Sequence, residues 1–141
     1  MLPSVPVYLR EQRILESPLL LLGGGVLYYG LELLVRGYSH WSMAILGGVC
    51  LWLIYALNRE KPRLLLPVRA LLCASLITGS EFLFGCVLNL WLKWNIWDYS
   101  ELPFDLLGQI CLPYFILWFL LSLPVCLLCT LIRRVIFFEE V

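Results

Sequence analysis

Apolar residues run almost without interruption through four stretches of this chain, about 18–36, 42–57, 67–92 and 104–132, and polar residues gather in the short segments between them. Each stretch approaches or exceeds the ~20 residues that a helix rising ~1.5 Å per residue needs to cross a bilayer. A segment in lipid must satisfy its backbone N–H and C=O groups internally, so runs of this length predict α-helices. The pattern predicts an all-α integral membrane bundle of about four transmembrane helices, organised as one transmembrane domain over residues 1–141. The second run is the shortest. The fourth is longer than a bilayer requires, which predicts tilt, a kink at Pro113 or Pro124, or a helix that continues past the membrane.

Residues 1–17 mix Pro3, Pro6, Arg10, Glu11, Arg13 and Glu16 with scattered apolar positions, the pattern of a short amphipathic segment lying at the membrane surface. The apolar run behind it lacks a small-residue cleavage site, so the reading is a first span rather than a cleaved signal. There is no internal repeat, low-complexity tract or long linker.

Composition agrees with the pattern. The 141 residues are 62% hydrophobic and 14% charged, where a soluble domain carries roughly a quarter charged residues. Ten basic and ten acidic residues cancel, so net charge gives no argument for a nucleic-acid partner. The six cysteines (50, 73, 86, 111, 126 and 129) lie mostly in apolar runs, where cysteine behaves as a small hydrophobe. The C-x-x-C at Cys126 and Cys129 has no second ligand pair, so neither a metal site nor any other cofactor is expected.

Eight of the ten basic residues (Arg10, Arg13, Arg59, Lys61, Arg63, Arg69, Arg133 and Arg134) fall on one side of a four-span chain. By the positive-inside rule, that side, with both termini and the 58–66 loop, is cytoplasmic, in what is expected to be the plasma membrane. The segments 36–42 and 93–109 then face outward. They hold most of the unusual residues, and Trp41, Trp91, Trp94, Trp97, Tyr38 and Tyr99, which cluster at this face, taken singly read as an interfacial aromatic belt.

Polar residues inside the spans are costly and are expected to face the protein interior. Glu32, Arg36 and His40 repeat at i, i+4 and i+8, one helical stripe, with Glu32 and Arg36 spaced to pair. Glu81, Gly85 and Asn89 repeat the spacing on the third span, the glycine admitting a neighbouring helix. Asp105 and Gln109 do the same at the expected start of the fourth. Asp98 and Ser100 are suited to satisfying backbone N–H groups ahead of that span. Counted from the outer ends, these residues form a ladder that narrows toward Glu81 near mid-membrane, where a phenolic O–H from Tyr29 or Tyr114 is the expected partner.

The stretches YYGLELLVRGYSHWSMAILGG (28–48), TGSEFLFGCVLNLWLKWNIWDYS (78–100) and PFDLLGQICLPYFILWFLLS (103–122) resemble the bacterial family of putative ABC-transporter permeases of the CmpB-like type. They are also similar to a vertebrate group of small transmembrane proteins of unknown function with a like E-F, W-D-Y-S, G and Y-x-x-x-W pattern. The resemblance implies a polytopic membrane protein with important residues at Glu32, Arg36, Glu81, Trp97, Asp98, Tyr99 and Gly108.

Three functions fit these residues. The leading one is a transport or solute-binding component with an outward-facing polar cleft. Its candidate binding residues are Glu32, Arg36, His40, Glu81, Asn89, Trp97, Asp98, Tyr99, Asp105 and Gln109, with Arg36 as anion partner and Glu81 as a proton- or cation-responsive group. The second is an intramembrane enzyme using His40, Asp98 or Glu81 on a lipid-linked substrate at the outer leaflet. The third is a scaffold or assembly factor. Four spans enclose little, so a homo-oligomer or a partner membrane subunit is expected beside the lipid bilayer. There is no G-x-x-x-x-G-K-[ST] loop, and an ATPase subunit, if used, is a separate chain.

Overall fold

The computed structural model describes residues 7–135, with side chains from Glu16 onward. These residues form four α-helices and no β-strand: α1 (Val7–Arg36), α2 (Trp41–Glu60), α3 (Leu66–Gly85) and α4 (Leu112–Val135). The last turns of α3 widen into a π-helix over Cys86–Trp91, recorded in the i→i+5 bond from Leu92 N–H to the Val87 carbonyl. The segments Glu16–Arg36, Trp41–Glu60, Leu66–Trp91 and Leu112–Val135 are each long and apolar enough to span a bilayer. The protein is an all-α integral membrane protein, as the hydrophobic pattern predicts.

Two boundaries differ from the apolar runs. Helix α1 is continuous from Val7 through Pro18, whereas the surface segment expected over 1–17 falls mainly on positions outside the described residues and side chains. Helix α4 starts at Leu112, eight residues later than the run that opens at Phe104. Residues 104–111 are as apolar as a helix needs, but Phe104 and Leu107 hold positive φ of 54°, and Gly108 holds 71°. The Asp105 carboxylate accepts the Gly108 N–H at 3.0 Å, a local bond that competes with helix formation. Asp105 and Gln109 therefore lie in a folded loop. Pro113 falls in the first turn of α4, where its missing N–H costs nothing, and Pro124 lies inside the helix.

The chain divides into two compact units, one ending at Trp52 and one beginning at Leu53. In the first, α1 and the first half of α2 approach closely through glycines. A Cβ on Gly25 would stand 2.7 Å from the Ala44 carbonyl oxygen, and one on Gly48 would collide with the main chain of Leu21. Lipid is as apolar as leucine and gives no hydrophobic drive between helices, so small residues that admit backbone contact hold such pairs together. The leucines and valines point outward instead: Leu34 is 84% exposed and Val26 72%.

In the second unit α3 and α4 pack against each other in antiparallel order, fixed by the pairs Arg69–Thr130, Cys73–Cys126 and Glu81–Trp118. The buried face of α3 carries Arg69, Cys73, Glu81 and Gly85, and that of α4 carries Ser122, Cys126, Cys129 and Arg133. Spacings of three and four residues put each set on one helical face. This seam is lined by small and polar groups, with carbon side chains left to the lipid.

Candidate functional site

Glu81 lies fifteen residues into α3, is 3% exposed, and is held at both carboxyl oxygens. The Tyr99 hydroxyl donates to Oε1 at 2.8 Å and the Trp118 indole N–H donates to Oε2 at 3.2 Å. Tyr114, one turn before Trp118 on α4, stacks on the Tyr99 ring with centroids 4.5 Å apart at 16°, and tilts against Trp118 at 6.1 Å. The phenolic partner expected for Glu81 is thus present, but it is Tyr99, while Tyr114 positions that tyrosine by stacking.

Tyr99 reaches Glu81 because residues 92–111 fold back on the end of α3. Asn89, 6% exposed, donates from Nδ2 to Gln109 Oε1 at 2.7 Å and accepts the Ile96 N–H on Oδ1 at 2.7 Å. The Trp97 indole N–H donates to the Gln109 carbonyl at 3.0 Å, and the Tyr99 N–H donates to the Gly108 carbonyl at 2.7 Å. Gly85 admits the Gln109 side chain, whose Cβ would lie 2.9 Å from an added Cβ. The glycine on the third span therefore accommodates a loop amide and not a neighbouring helix.

Asp98 is at the surface, where Oδ1 accepts the Ser100 N–H at 2.9 Å. That bond, and a second from the Ser100 side chain, hold its carboxyl below the usual aspartate range. Gly108 is required opposite it, since a Cβ there would meet Asp98 Oδ1 at 2.6 Å on a backbone of positive φ. Lys93, Asn95, Phe104 and Leu107 also hold positive φ, an uncommon concentration of left-handed, non-glycine backbone. Trp97 is 6% exposed, whereas Tyr38, Trp41, Trp91 and Trp94 remain exposed, so the aromatic residues divide between this loop core and the surface.

Residues 5–138 match the family described as "Putative ABC-transporter type IV". The chain belongs to this family. No curated protein and no solved structure matches the chain at a significant level.

The remaining candidates lie in the first unit. Arg36, the last residue of α1, pairs with Glu32 one turn below at 3.2 Å, donates to the Tyr38 hydroxyl at 3.0 Å and sits 4.8 Å from the Tyr38 ring centroid. With the Arg36 side chain 31% exposed, water screens the pair, and a double-mutant cycle of Arg36→Ala and Glu32→Ala is expected to give a coupling below about 1 kcal/mol. A coupling of several kcal/mol in thermal melts would contradict this geometry. His40 precedes α2: its carbonyl accepts the Met43 N–H at 2.9 Å, and Nδ1 accepts the Ser42 N–H at 3.3 Å, the position of a helix cap.

The structure thus gathers Glu81, Asn89, Trp97, Tyr99, Asp105 and Gln109 into one bonded cluster, with Asp98 at its rim. Trp118 is the member that polarity alone misses, being set in an apolar run; the four-residue step from Tyr114 is its signal. Among the described residues, Ser122 Oγ and Thr78 Oγ1 are buried without a hydrogen-bond partner, and Ser122 stands one turn beyond Trp118. Among the described residues no group of three or more His, Cys, Asp or Glu side chains could hold a metal.

Proposed function

We propose that this protein is a transport or solute-binding component of the membrane in which Glu81 is the group that a passing ion or solute engages. The observation that supports this reading is the buried carboxyl itself. An ionisable group within a span costs roughly 2.5–3.5 kcal/mol on insertion scales, yet here it is clasped by a tyrosine on an adjoining loop and a tryptophan on α4. A shift of the loop withdraws Tyr99 and uncovers Oε1. The left-handed backbone of that loop is strain of the kind that accumulates at switch and binding segments. Ser122, orphaned one turn below Trp118, supplies a further polar atom for a guest.

In this reading the termini and the 58–66 loop are cytoplasmic, residues 92–111 cover the outer end of the seam, and Arg36 attracts anions at the same side. A second copy or a partner membrane subunit completes the enclosure, and any ATPase is a separate chain. Cysteines added singly at exposed Glu60 and Glu101 are expected to react with an impermeant maleimide from opposite sides of sealed vesicles. Labelling of both from one side would refute the arrangement.

Transport is tested by currents from proteoliposomes on a solid-supported membrane during rapid exchange of protons, amino acids, organic cations and organic anions. A current that saturates with one of these and disappears in Glu81→Gln supports the reading. Silence toward every class, with the protein folded, would favour a scaffold.

A further inference from the structure

The other end of the α3–α4 seam carries a polar cluster that plays no part at Glu81. Arg69, in the first turn of α3, is 8% exposed, and Arg133, in the last turn of α4, is 6% exposed. Both guanidiniums converge on Asn58 near the end of α2, itself 1% exposed. Arg69 Nη1 donates to Asn58 Oδ1 at 2.9 Å and to Thr130 Oγ1 at 3.4 Å, while Arg133 Nη1 donates to the Asn58 carbonyl at 3.1 Å. Asn58 is fixed in turn by its Nδ2 bonds to the Ile54 carbonyl at 2.8 Å and to Cys126 Sγ at 3.4 Å.

Every side-chain hydrogen bond that Arg69 makes to a described residue leaves from Nη1 and ends on a neutral atom. Its Nε is buried and has no hydrogen-bond partner among the described residues. The Nε–Nη2 edge, the side of a guanidinium whose two N–H bonds run parallel, is therefore unused. That edge matches two oxygens of a phosphate or carboxylate. A desolvated cation whose partners are all neutral is poorly compensated until an anion meets it. The residues stand three positions into α3 and two from the end of α4, so at about 1.5 Å per residue both lie within about 5 Å of the helix ends, the level of lipid headgroups.

We propose that Arg69, with Arg133 beside it, forms an anion site for the phosphate of a mono- or diester, which docks on the Nε–Nη2 edge of Arg69. Asn58 holds the two guanidiniums in place, and the phosphate supplies the negative charge. It comes either from an anionic lipid of the adjacent leaflet or from a phosphate dissolved in the water beside it, and the two sources separate experimentally.

Full-length protein is assembled in phosphatidylcholine nanodiscs doped with phosphatidylglycerol, and the lipid retained on release is weighed by native mass spectrometry. In parallel, detergent-solubilised protein is titrated with inorganic phosphate against chloride at matched ionic strength, and its melting is followed. A lipid source gives at least about fivefold enrichment of phosphatidylglycerol over the bulk, with little response to inorganic phosphate. A soluble source gives saturable thermal protection by phosphate without enrichment. Either response is expected to fall to background in Arg69→Gln, and Arg69→Lys, which keeps the charge but loses the fork, is expected to lose most of it. Absence of both responses in the wild-type protein would overturn the proposal, whatever the variants do. So would an undiminished response in Arg69→Gln, or in Arg69→Lys should the glutamine variant not fold.

Discussion

Glu81→Gln is expected to leave the protein folded and, on the transport reading proposed above, to lower the coupled current by at least about tenfold. The hydrogen bonding explains why the two effects separate. The amide oxygen of glutamine accepts the Trp118 N–H, which can only donate, and its NH2 donates to the Tyr99 hydroxyl, which can turn to accept. Both contacts on the carboxyl thus have an amide counterpart, and the melting temperature should move by no more than about 3 °C, equivalent to less than 1 kcal/mol for a chain of this size. What the amide cannot do is exchange a proton or carry a charge. Glu81→Leu differs, because it takes the shared acceptor from the half-buried Tyr99 and Trp118 donors at up to about 1–3 kcal/mol each, and it should lower folded yield. Infrared difference spectra between acid and alkaline buffer provide a readout independent of the solute, since a carboxyl band of Glu81 disappears in the glutamine variant. Full current and an unchanged spectrum in Glu81→Gln would reduce Glu81 to a structural contact.

The second large effect is expected at Gly48, where a Cβ would run into the main chain of Leu21. Gly48→Val drives two backbones apart where neither can yield by a side-chain rotation. Overpacking of this kind costs about 1–3 kcal/mol, and more where backbone must move. The expected outcome is loss of the monodisperse peak in detergent, or a melting temperature lowered by at least about 5 °C. Gly79 is the control, since nothing lies within 4 Å of a Cβ added there. Gly79→Ala should be neutral or stabilising by up to about 1 kcal/mol, through the better helix propensity of alanine. Equal melting of Gly48→Val and Gly79→Ala would show that the α1–α2 seam is looser than its geometry.

The spans were legible because crossing a bilayer leaves one strong signal, the long apolar run. The limit of that signal appears at 104–111, where hydropathy reads as helix while Asp105, Gly108 and the left-handed residues make a loop. Polarity inside the spans pointed to Glu81, Asn89 and Gln109, and the four-residue rhythm placed the first two on one face. It could not rank one phenol against another, because Tyr99 arrives through a loop whose path depends on bonds among Asn89, Trp97 and Gln109. Arg69 and Arg133 were read only as positive charges beside span ends. Their burial depends on Asn58 capturing both, a tertiary arrangement with no sequence period, although an asparagine at the end of an apolar run was its trace.

The polar lining of the α3–α4 seam also bears on how the protein enters the membrane. Alone in lipid, α3 and its π-helical end would present Glu81 and Asn89 to hydrocarbon and leave Arg69 uncompensated at the headgroup boundary, each at a cost. Trp118, Gln109 and Thr130, which bond them, lie on the loop and helix made next. The nascent third helix is thus better kept beside the translocon until the fourth has been synthesised, and the two released as a hairpin. Biogenesis of this protein should accordingly slow or fail when chain termination between residues 92 and 111 withholds α4, however apolar the third run is.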